Sequence, residues 1–160
     1  MAHPEWTALT SQSGLDVDSL RGMEFSCSQL SNEVLKSIFD AAFFDTEIDE
    51  DSDLIVTDDM QVWVEGLPEQ DCFQYTAFFR IDKEHPREKL LEACNEFNAT
   101  YLGLKANVPE GSKVIAFNYA VLMKGGGKIE GKEIVRLLKY FQDVVAASME
   151  DEAFQFIVEE

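Results

Sequence analysis

Apolar residues recur at helical spacing in three segments of the chain, and each segment predicts an amphipathic helix. The first covers residues 31–44, with Ser31 as its N-terminal cap. The second covers residues 86–98 and starts at Pro86, a residue suited to the first helical turn. The third and longest covers residues 131–147 and follows a run of glycines. Each apolar face must be buried against another layer of secondary structure.

Alternation of apolar and polar residues predicts five strands, which cover residues 54–56, 61–65, 72–81, 101–107 and 114–123. Strand 72–81 has one apolar and one polar face, with Phe78 as the exception on the polar face. Such a strand is typical of an antiparallel sheet that is covered on one side. Strand 114–123 is apolar on both faces, so either it is central or its second face meets another surface.

The predicted order of elements is α-β-β-β-α-β-β-α, without an internal repeat or a dividing linker. Hairpin-like spacing within each strand group predicts an α+β fold, with a mainly antiparallel five-stranded sheet packed by helices. We assign residues 30–150 to a single domain and residues 1–29 to a weakly patterned, loosely attached N-terminal arm. Residues 151–160 form an acidic C-terminal tail, in which residues 154–158 are either a short strand or a continuation of the helix.

The chain carries 31 acidic and 13 basic residues, a formal net charge of −18. A charge of this sign disfavours binding to nucleic acid and to anionic membrane surfaces, because both need Lys and Arg. It serves solubility or contact with a basic partner segment. The N-terminal residues lack the features of a signal peptide, and no apolar run approaches the ~20 residues that span a bilayer. We therefore expect a cytoplasmic protein.

Cysteine and histidine usage argues against a metal site and against catalysis. Cys27, Cys72 and Cys94 are widely spaced, odd in number and without a CxxC pair, so we expect free thiols and no zinc site. His3 and His85 are the two histidines, and neither pairs with a Ser or Cys in a recognisable nucleophile setting. The sequence therefore predicts no enzymatic activity, no cofactor and no metal.

A glycine-rich segment, Gly126–Lys132, satisfies the G-x-x-x-x-G-K part of a phosphate-binding loop and lies between a strand and a helix. The next residue is Glu133, where such a loop needs a Ser or Thr hydroxyl for magnesium. The preceding strand also belongs to a hairpin, not to a parallel βαβ unit. Nucleotide binding is therefore a disfavoured alternative to a flexible glycine turn that leads into the helix.

An acidic stretch, residues 45–59, holds eight acidic residues and no basic residue. Residues 49–53 place Asp at positions 1, 3 and 5 of a calcium loop. Leu54 replaces the glycine at position 6 of that loop, and Met60 replaces the glutamate at position 12. A solvated, mobile acidic loop is the favoured interpretation, and binding of a cation or a basic peptide is left open.

The predicted helix 86–98 ends in Asn95-Glu96-Phe97-Asn98, whose asparagines suit capping and turn formation at a helix end. With the order of elements around it, this motif resembles the YbjN family, bacterial proteins described as sensory transduction regulators. The resemblance covers about residues 30–147. It implies a twisted antiparallel sheet packed by helices, as in type III secretion chaperones, which are often dimeric. It implies no enzymatic activity and supplies no catalytic residues.

These patterns predict a non-enzymatic protein-interaction or regulatory protein that forms a homodimer, and they do not identify its partner. Its candidate contact residues are Phe78, Phe117 and Tyr119, because aromatic side chains on a second sheet face are unusual unless something covers them. The alternative is that the N-terminal arm or the C-terminal tail covers them within one chain. A chaperone for one specific client protein is the second functional hypothesis.

Overall fold

Eight strands and four α-helices are described over residues 17–82 and 85–157 of a computed structural model. In chain order they are α1 (Val17–Gly22), β1 (Glu24–Ser26), α2 (Asn32–Ala41), β2 (Asp45–Ile48), β3 (Leu54–Thr57), β4 (Gln61–Leu67), β5 (Cys72–Arg80), α3 (Arg87–Thr100), β6 (Leu104–Asn107), β7 (Val114–Leu122), β8 (Lys128–Glu130) and α4 (Gly131–Met149). Six strands form one antiparallel sheet in the order β2-β3-β4-β5-β7-β6, and β1 pairs with β8. The predicted α+β class with a mainly antiparallel sheet is confirmed.

The main sheet has six strands, whereas the sequence predicts five, because the acidic stretch contributes the edge strand β2. β2 pairs with β3 so that Thr46 lies opposite Val56 and Ile48 lies opposite Leu54. Asp45 and Glu47 alternate with these residues on the other face of the strand. Two of the four residues of β2 are charged, so the strand lacks the apolar alternation by which strands are recognised in a sequence.

Helix α2 begins as predicted and ends earlier than predicted. The Ser31 hydroxyl accepts a hydrogen bond from the Val34 N–H at 3.3 Å. At the other end, the Phe43 N–H donates to the Asp40 carbonyl at 3.0 Å and the Phe44 N–H donates to the Phe39 carbonyl at 3.1 Å. Phe43 is left-handed, with φ of 65°. These bonds form a Schellman motif, which ends the helix at Ala41 instead of Phe44.

The centre of the core lies between β5 and α4. Phe73, Tyr75 and Ala77 are fully buried on one face of β5. The Tyr75 hydroxyl donates a hydrogen bond of 2.6 Å to the Ile134 carbonyl, and its ring stacks on Phe141 at a centroid distance of 6.1 Å. This face of the sheet is therefore covered by α4, as the apolar alternation of β5 predicts.

The described part of the predicted N-terminal arm packs on the rest of the protein and is not loosely attached. β1 pairs with β8 in the register Phe25 to Ile129, and Phe25 is fully buried. The Gly131 N–H at the start of α4 donates to the Met23 carbonyl at 3.0 Å. The arm prediction is thus wrong for residues 17–29, because Phe25 anchors them, and residues 1–16 lie outside the described part.

The C-terminal segment is a 3₁₀ turn, Glu152–Phe154, followed by a single antiparallel bridge between Ile157 and Ile81. It is thus neither of the two predicted forms in full, and Val158 lies outside the described residues. The Phe154 ring lies 6.1 Å from that of Phe97 and 5.7 Å from that of Phe117. The segment therefore closes the core over α3 and β7.

Candidate functional site

The sheet has a second face, opposite Tyr75 and Ala77, which carries a mixture of aromatic and polar side chains. We call it the open face and define it by Trp63, Glu65, Gln74, Thr76, Phe78 and Asn118. Cross-strand partners share a face of a sheet. Trp63 on β4 pairs with Thr76 on β5, which pairs in turn with Asn118 on β7, so these three side chains form one row.

An aromatic pair marks the centre of the open face. The rings of Trp63 and Phe78 meet edge to face at a centroid distance of 5.2 Å and an interplanar angle of 77°. Phe78 is 44% exposed. The two rings line a shallow depression of about 290 Å³, which Asp53 and Glu65 border with negative charge. A half-buried Trp63 and an exposed Phe78 beside polar groups have the composition of a protein interface more than of a free surface.

Hydrogen bonds fix the polar groups beside the aromatic pair. The Thr76 hydroxyl donates to the Asn118 Oδ1 at 3.0 Å, and the Asn118 Nδ2 donates to the Asn107 Oδ1 at 3.2 Å. The Gln74 Nε2 donates to the Glu65 carboxylate at 3.1 Å. The depression therefore presents oriented amide and carboxylate groups around an apolar centre, which suits recognition of a partner more than chemistry on a substrate.

The structure places the three predicted contact residues in different environments. Phe78 lies on the open face as predicted. Phe117 is fully buried, and Tyr119 is half-buried with its ring 6.0 Å from that of Tyr140 on α4. The prediction that Phe117 and Tyr119 lie on the second face is wrong, because their partners across the ladder are Ala77 and Tyr75 on the helix-covered face.

The alternative that the C-terminal segment covers these aromatic residues holds for Phe117, which contacts Phe154.

Trp63 is the open-face aromatic residue that the sequence analysis did not propose as a contact residue. The pattern Gln61-Val62-Trp63-Val64-Glu65 contains a signal for it. Trp63 shares the parity of two polar residues, which places it on the more exposed face, opposite the buried Val62 and Val64.

The glycine-rich segment does not have the geometry of a phosphate-binding loop. Its residues 128–130 are the strand β8, and Lys132 forms an ion pair with Glu130 at 2.5 Å. A Cβ added at Gly131 would lie 2.5 Å from the Leu20 carbonyl oxygen, so α1 occupies the space in front of α4. The Gly131 N–H at this helix start also donates to the Met23 carbonyl, so it is not available to bind a phosphate.

Residues 49–53, which place Asp at three calcium-loop positions, form a hydrogen-bonded turn between β2 and β3. The Asp49 carboxylate accepts hydrogen bonds from the Asp51 N–H at 3.0 Å and the Asp53 N–H at 2.9 Å. Within residues 17–82 and 85–157, no three His, Cys, Asp or Glu side chains are grouped to hold a metal ion. The carboxylate of Asp49 thus organises the hairpin between β2 and β3.

The three cysteines are free and buried, as predicted. Burial raises the pKa of the Cys27, Cys72 and Cys94 thiols above the usual range. The Cys27 Sγ donates a hydrogen bond to the Cys72 carbonyl at 3.2 Å. A thiol with a raised pKa stays protonated at neutral pH and is a poor nucleophile. These residues therefore act as small apolar side chains of the core.

A larger depression, about 420 Å³, lies between α3 and the C-terminal 3₁₀ turn. Charged side chains dominate its lining, among them Lys89, Glu92 and Glu96, and its aromatic residue Phe156 is buried. It lacks the accessible aromatic pair of the open face, which we therefore regard as the better candidate site. Among the described residues, no helix combines the length and apolar character required to cross a membrane.

Comparison with known proteins supplies a family. The sequence matches the model of the YbjN family, described as "Putative bacterial sensory transduction regulator", over residues 31–156. A search of curated proteins finds no match. The fold is similar to that of YbjN from E. coli, with a TM-score of 0.61, 12% identity, and coverage of 81% of this chain and 96% of that chain. It is also similar to a chain of the HopA1–SchA chaperone–effector complex, with a TM-score of 0.52, 11% identity, and coverage of 73% of this chain and 91% of that chain. The chain therefore belongs to the YbjN family, as the resemblance in its sequence indicates.

Proposed function

We propose that the protein is a cytoplasmic, non-enzymatic regulatory module of the YbjN type, which acts by binding another protein through its open face. The observation that carries this proposal is the edge-to-face pair of Trp63 and Phe78 in the shallow depression. Aromatic side chains are enriched in interface centres, because they bury a large apolar area at a small cost in conformational entropy. The net charge of −18 attracts a partner whose contact surface is basic.

Two further features favour binding over catalysis. The thiols are protonated at neutral pH because burial raises their pKa, so they are poor nucleophiles. The amide and hydroxyl groups beside the aromatic pair bond to one another, which positions them but does not activate a nucleophile. The arrangement supports recognition of a surface, not a reaction.

The test is capture of partners by the tagged full-length protein in its host, compared between two variants. Phe78→Ser removes the more exposed of the two open-face aromatic residues, whereas Tyr140→Ser removes an aromatic residue of equal exposure, 44%, on α4. A partner of the open face is retained by the unmodified protein and by Tyr140→Ser, and is lost by Phe78→Ser. Equal retention of every captured protein by both variants would overturn the proposal.

A second copy of the chain is one candidate for this partner, and it would make the protein a homodimer. Sedimentation of the purified protein at tens of micromolar distinguishes a dimer from a monomer. A dimer that dissociates on Phe78→Ser assigns the open face to the second copy. A monomer in both cases excludes the homodimer and leaves a different protein as the partner.

The second candidate function is a chaperone for one client protein. The similarity of the fold to a chain of a chaperone–effector complex favours it. A chaperone of this kind is expected to retain a single secreted protein in stoichiometric amount, whereas a regulator binds a protein that stays in the cell. The identity of the protein that depends on Phe78 for capture therefore decides between the two functions.

A further inference from the structure

The two edge strands of the six-stranded sheet, β6 and β2, differ in whether their outward backbone groups have hydrogen-bond partners. At the β6 edge, the Asn98 Nδ2 donates to the Ala106 carbonyl at 3.1 Å, and the Asn98 Oδ1 accepts from the Ala106 N–H at 2.7 Å. One side chain of α3 thus takes the place of a neighbouring strand. At Ala106, this edge therefore has no free backbone group that could pair with another chain.

At the other edge, no strand among the described residues pairs with the outer side of β2. The Asp49 N–H donates to the Asp53 carbonyl at 3.0 Å, which sets the alternation of the antiparallel ladder with β3. The backbone groups of Thr46 and Ile48 therefore point away from β3. Within the described part of the chain these outward groups have no hydrogen-bond partner. Ile48, on the same edge, is 37% exposed.

An exposed aromatic residue stands directly before this edge. Phe43 is 85% exposed and occupies the C′ position of the Schellman motif with φ of 65°. Glycine is the usual residue at that position, because a side chain there costs about 1–2 kcal/mol. Burial of the Phe43 ring does not offset this cost, because the ring is exposed. A strained, solvent-facing aromatic beside an open edge indicates a binding role.

Charge decides which kind of strand fits the β2 edge. No Lys or Arg occurs between Lys36 and Arg80, and β2 presents Asp45 and Glu47 on one of its faces. Antiparallel pairing of β2 with β2 of a second copy would set acids opposite acids, which is destabilising. A strand with Lys or Arg at alternate positions would instead meet these acids with opposite charge.

We propose that the β2 edge binds an extended segment of a partner protein as an added antiparallel strand. Alternate residues of this segment are Lys or Arg, which face Asp45 and Glu47. The intervening residues are apolar, and they lie on the face of Ile48 and next to Phe43. The proposal rests on the proposed function only in that it requires a protein partner, since it uses the backbone of β2 and not the residues that define the open face. Asp45 and Glu47 lie on the same side of the sheet as Trp63, because Glu47 pairs with Ile55 and Ile55 pairs with Trp63.

The probe is a synthetic eight-residue peptide of alternating Lys and Val, added to the isotope-labelled full-length protein. Hydrogen exchange of the outward amides of Thr46 and Ile48 is followed by NMR. At a peptide concentration about ten times Kd, exchange of these two amides is expected to slow about tenfold. The inward amide of Glu47 is the internal reference, because it already bonds to β3.

Two control peptides separate strand addition from simple charge attraction. A Lys/Val peptide methylated on alternate backbone nitrogens keeps its charge but cannot pair with the edge, so it is expected to give no protection. A Glu/Val peptide keeps the backbone but reverses the charge, and it is also expected to give none. Equal protection by the methylated peptide, or the absence of protection by the original one, would overturn the proposal.

Protein variants give the second measurement. Ile48→Pro removes an outward N–H, and edge strands tolerate proline, so peptide affinity is expected to fall at least about tenfold. Phe43→Gly is expected to weaken binding without loss of stability, so unfolding cannot account for its effect. Dimerisation that Ile48→Pro abolishes without any peptide would assign the edge to a second copy and overturn the proposal.

The outcomes of the two proposals are distinguishable. The edge proposal fails if the peptide leaves Thr46 and Ile48 unprotected, whatever happens at the open face. The open-face proposal fails if partner capture is indifferent to Phe78→Ser, whatever the peptide does. A Lys/Val peptide that perturbs Trp63 and Phe78 and not Thr46 and Ile48 would place the basic segment on the open face and contradict the edge proposal.

Discussion

Asn98 on α3 and Ala106 on β6 are joined by two hydrogen bonds, one in each direction between a side-chain amide and a backbone unit. The motif that the sequence analysis assigns to helix capping thus ties a helix to a strand. Both asparagines of the motif are exposed, but within the described residues the Asn95 side chain makes no comparable hydrogen bond. The two asparagines therefore have unequal roles in stability.

Replacing Asn98 with Ala is expected to lower the free energy of unfolding by about 2 kcal/mol. The change leaves the Ala106 N–H and carbonyl without protein partners, and water at this edge compensates them only in part. Asn95→Ala is the matched control, with an expected change within about 0.5 kcal/mol. Urea unfolding measures both variants. Equal effects of the two substitutions would contradict the role assigned to Asn98.

Replacing Phe43 with Gly is expected to stabilise the protein by about 1 kcal/mol, because glycine adopts φ of 65° without strain. Phe43→Ala is the control, since it also removes the ring but keeps the Cβ that causes the strain. Only the glycine variant is expected to unfold at a higher urea concentration than the unmodified protein. A similar gain in Phe43→Ala would show that the ring, not the backbone, is the source.

Replacing Gln142 with Met is expected to stabilise the protein by about 1 kcal/mol. Gln142 on α4 is 3% exposed, and its side-chain oxygen and nitrogen have no hydrogen-bond partner within the described residues. Methionine has a similar shape and no unsatisfied polar atoms to desolvate. Gln61→Met, at an exposed position, is the control and should change the unfolding free energy by less than about 0.5 kcal/mol. A loss of stability in Gln142→Met would indicate a polar partner for this side chain.

Tyr75 makes the stability depend on alkaline pH. Burial, with a smaller contribution from Tyr119, raises the pKa of the Tyr75 hydroxyl well above its usual range. In the unfolded chain this hydroxyl ionises near about pH 10, so its contribution is complete below that pH. Above it, the unfolded state releases a proton that the folded state keeps, and stability falls as pH rises.

Tyr75→Phe removes this pH dependence and also the hydrogen bond to Ile134. The variant is therefore expected to be less stable than the unmodified protein by about 1 kcal/mol at pH 8. Above pH 10 the unmodified protein loses about 1.4 kcal/mol more per pH unit than the variant, so the difference narrows. Urea unfolding between pH 8 and pH 11 measures it. Parallel pH curves would contradict the assignment.

The helices and the inner strands follow from the sequence because their apolar periodicity is strong. β5 shows this best, since the residues predicted to face the helices include the fully buried Phe73, Tyr75 and Ala77. β2 is not predicted, because in an edge strand only the side chains that face the core need to be apolar. Its acidic residues face solvent. The strand is defined by its hydrogen bonds to β3, and the apolar pattern of β2 alone does not show this pairing.

The position of the candidate site depends on information that one strand does not contain. β7 is apolar on both faces, so its sequence does not say whether Phe117 or Ala116 faces the helices. The register with β5 decides it, by placing Phe117 opposite Ala77. Phe78, by contrast, can be placed from the sequence of β5 alone. Its neighbours with the same parity on this strand are polar, so Phe78 lies on the polar face.

The unequal edges of the sheet also limit what the protein can build. A protein whose sheet has two unpaired edges can pair with another copy at each edge, and repeated pairing produces a fibre. Here Asn98 occupies the backbone of Ala106 at one edge of the main sheet, and our proposal assigns strand addition to β2 at the other edge. On this proposal, assembly through the main sheet stops after one addition, with a stoichiometry of one segment to one chain.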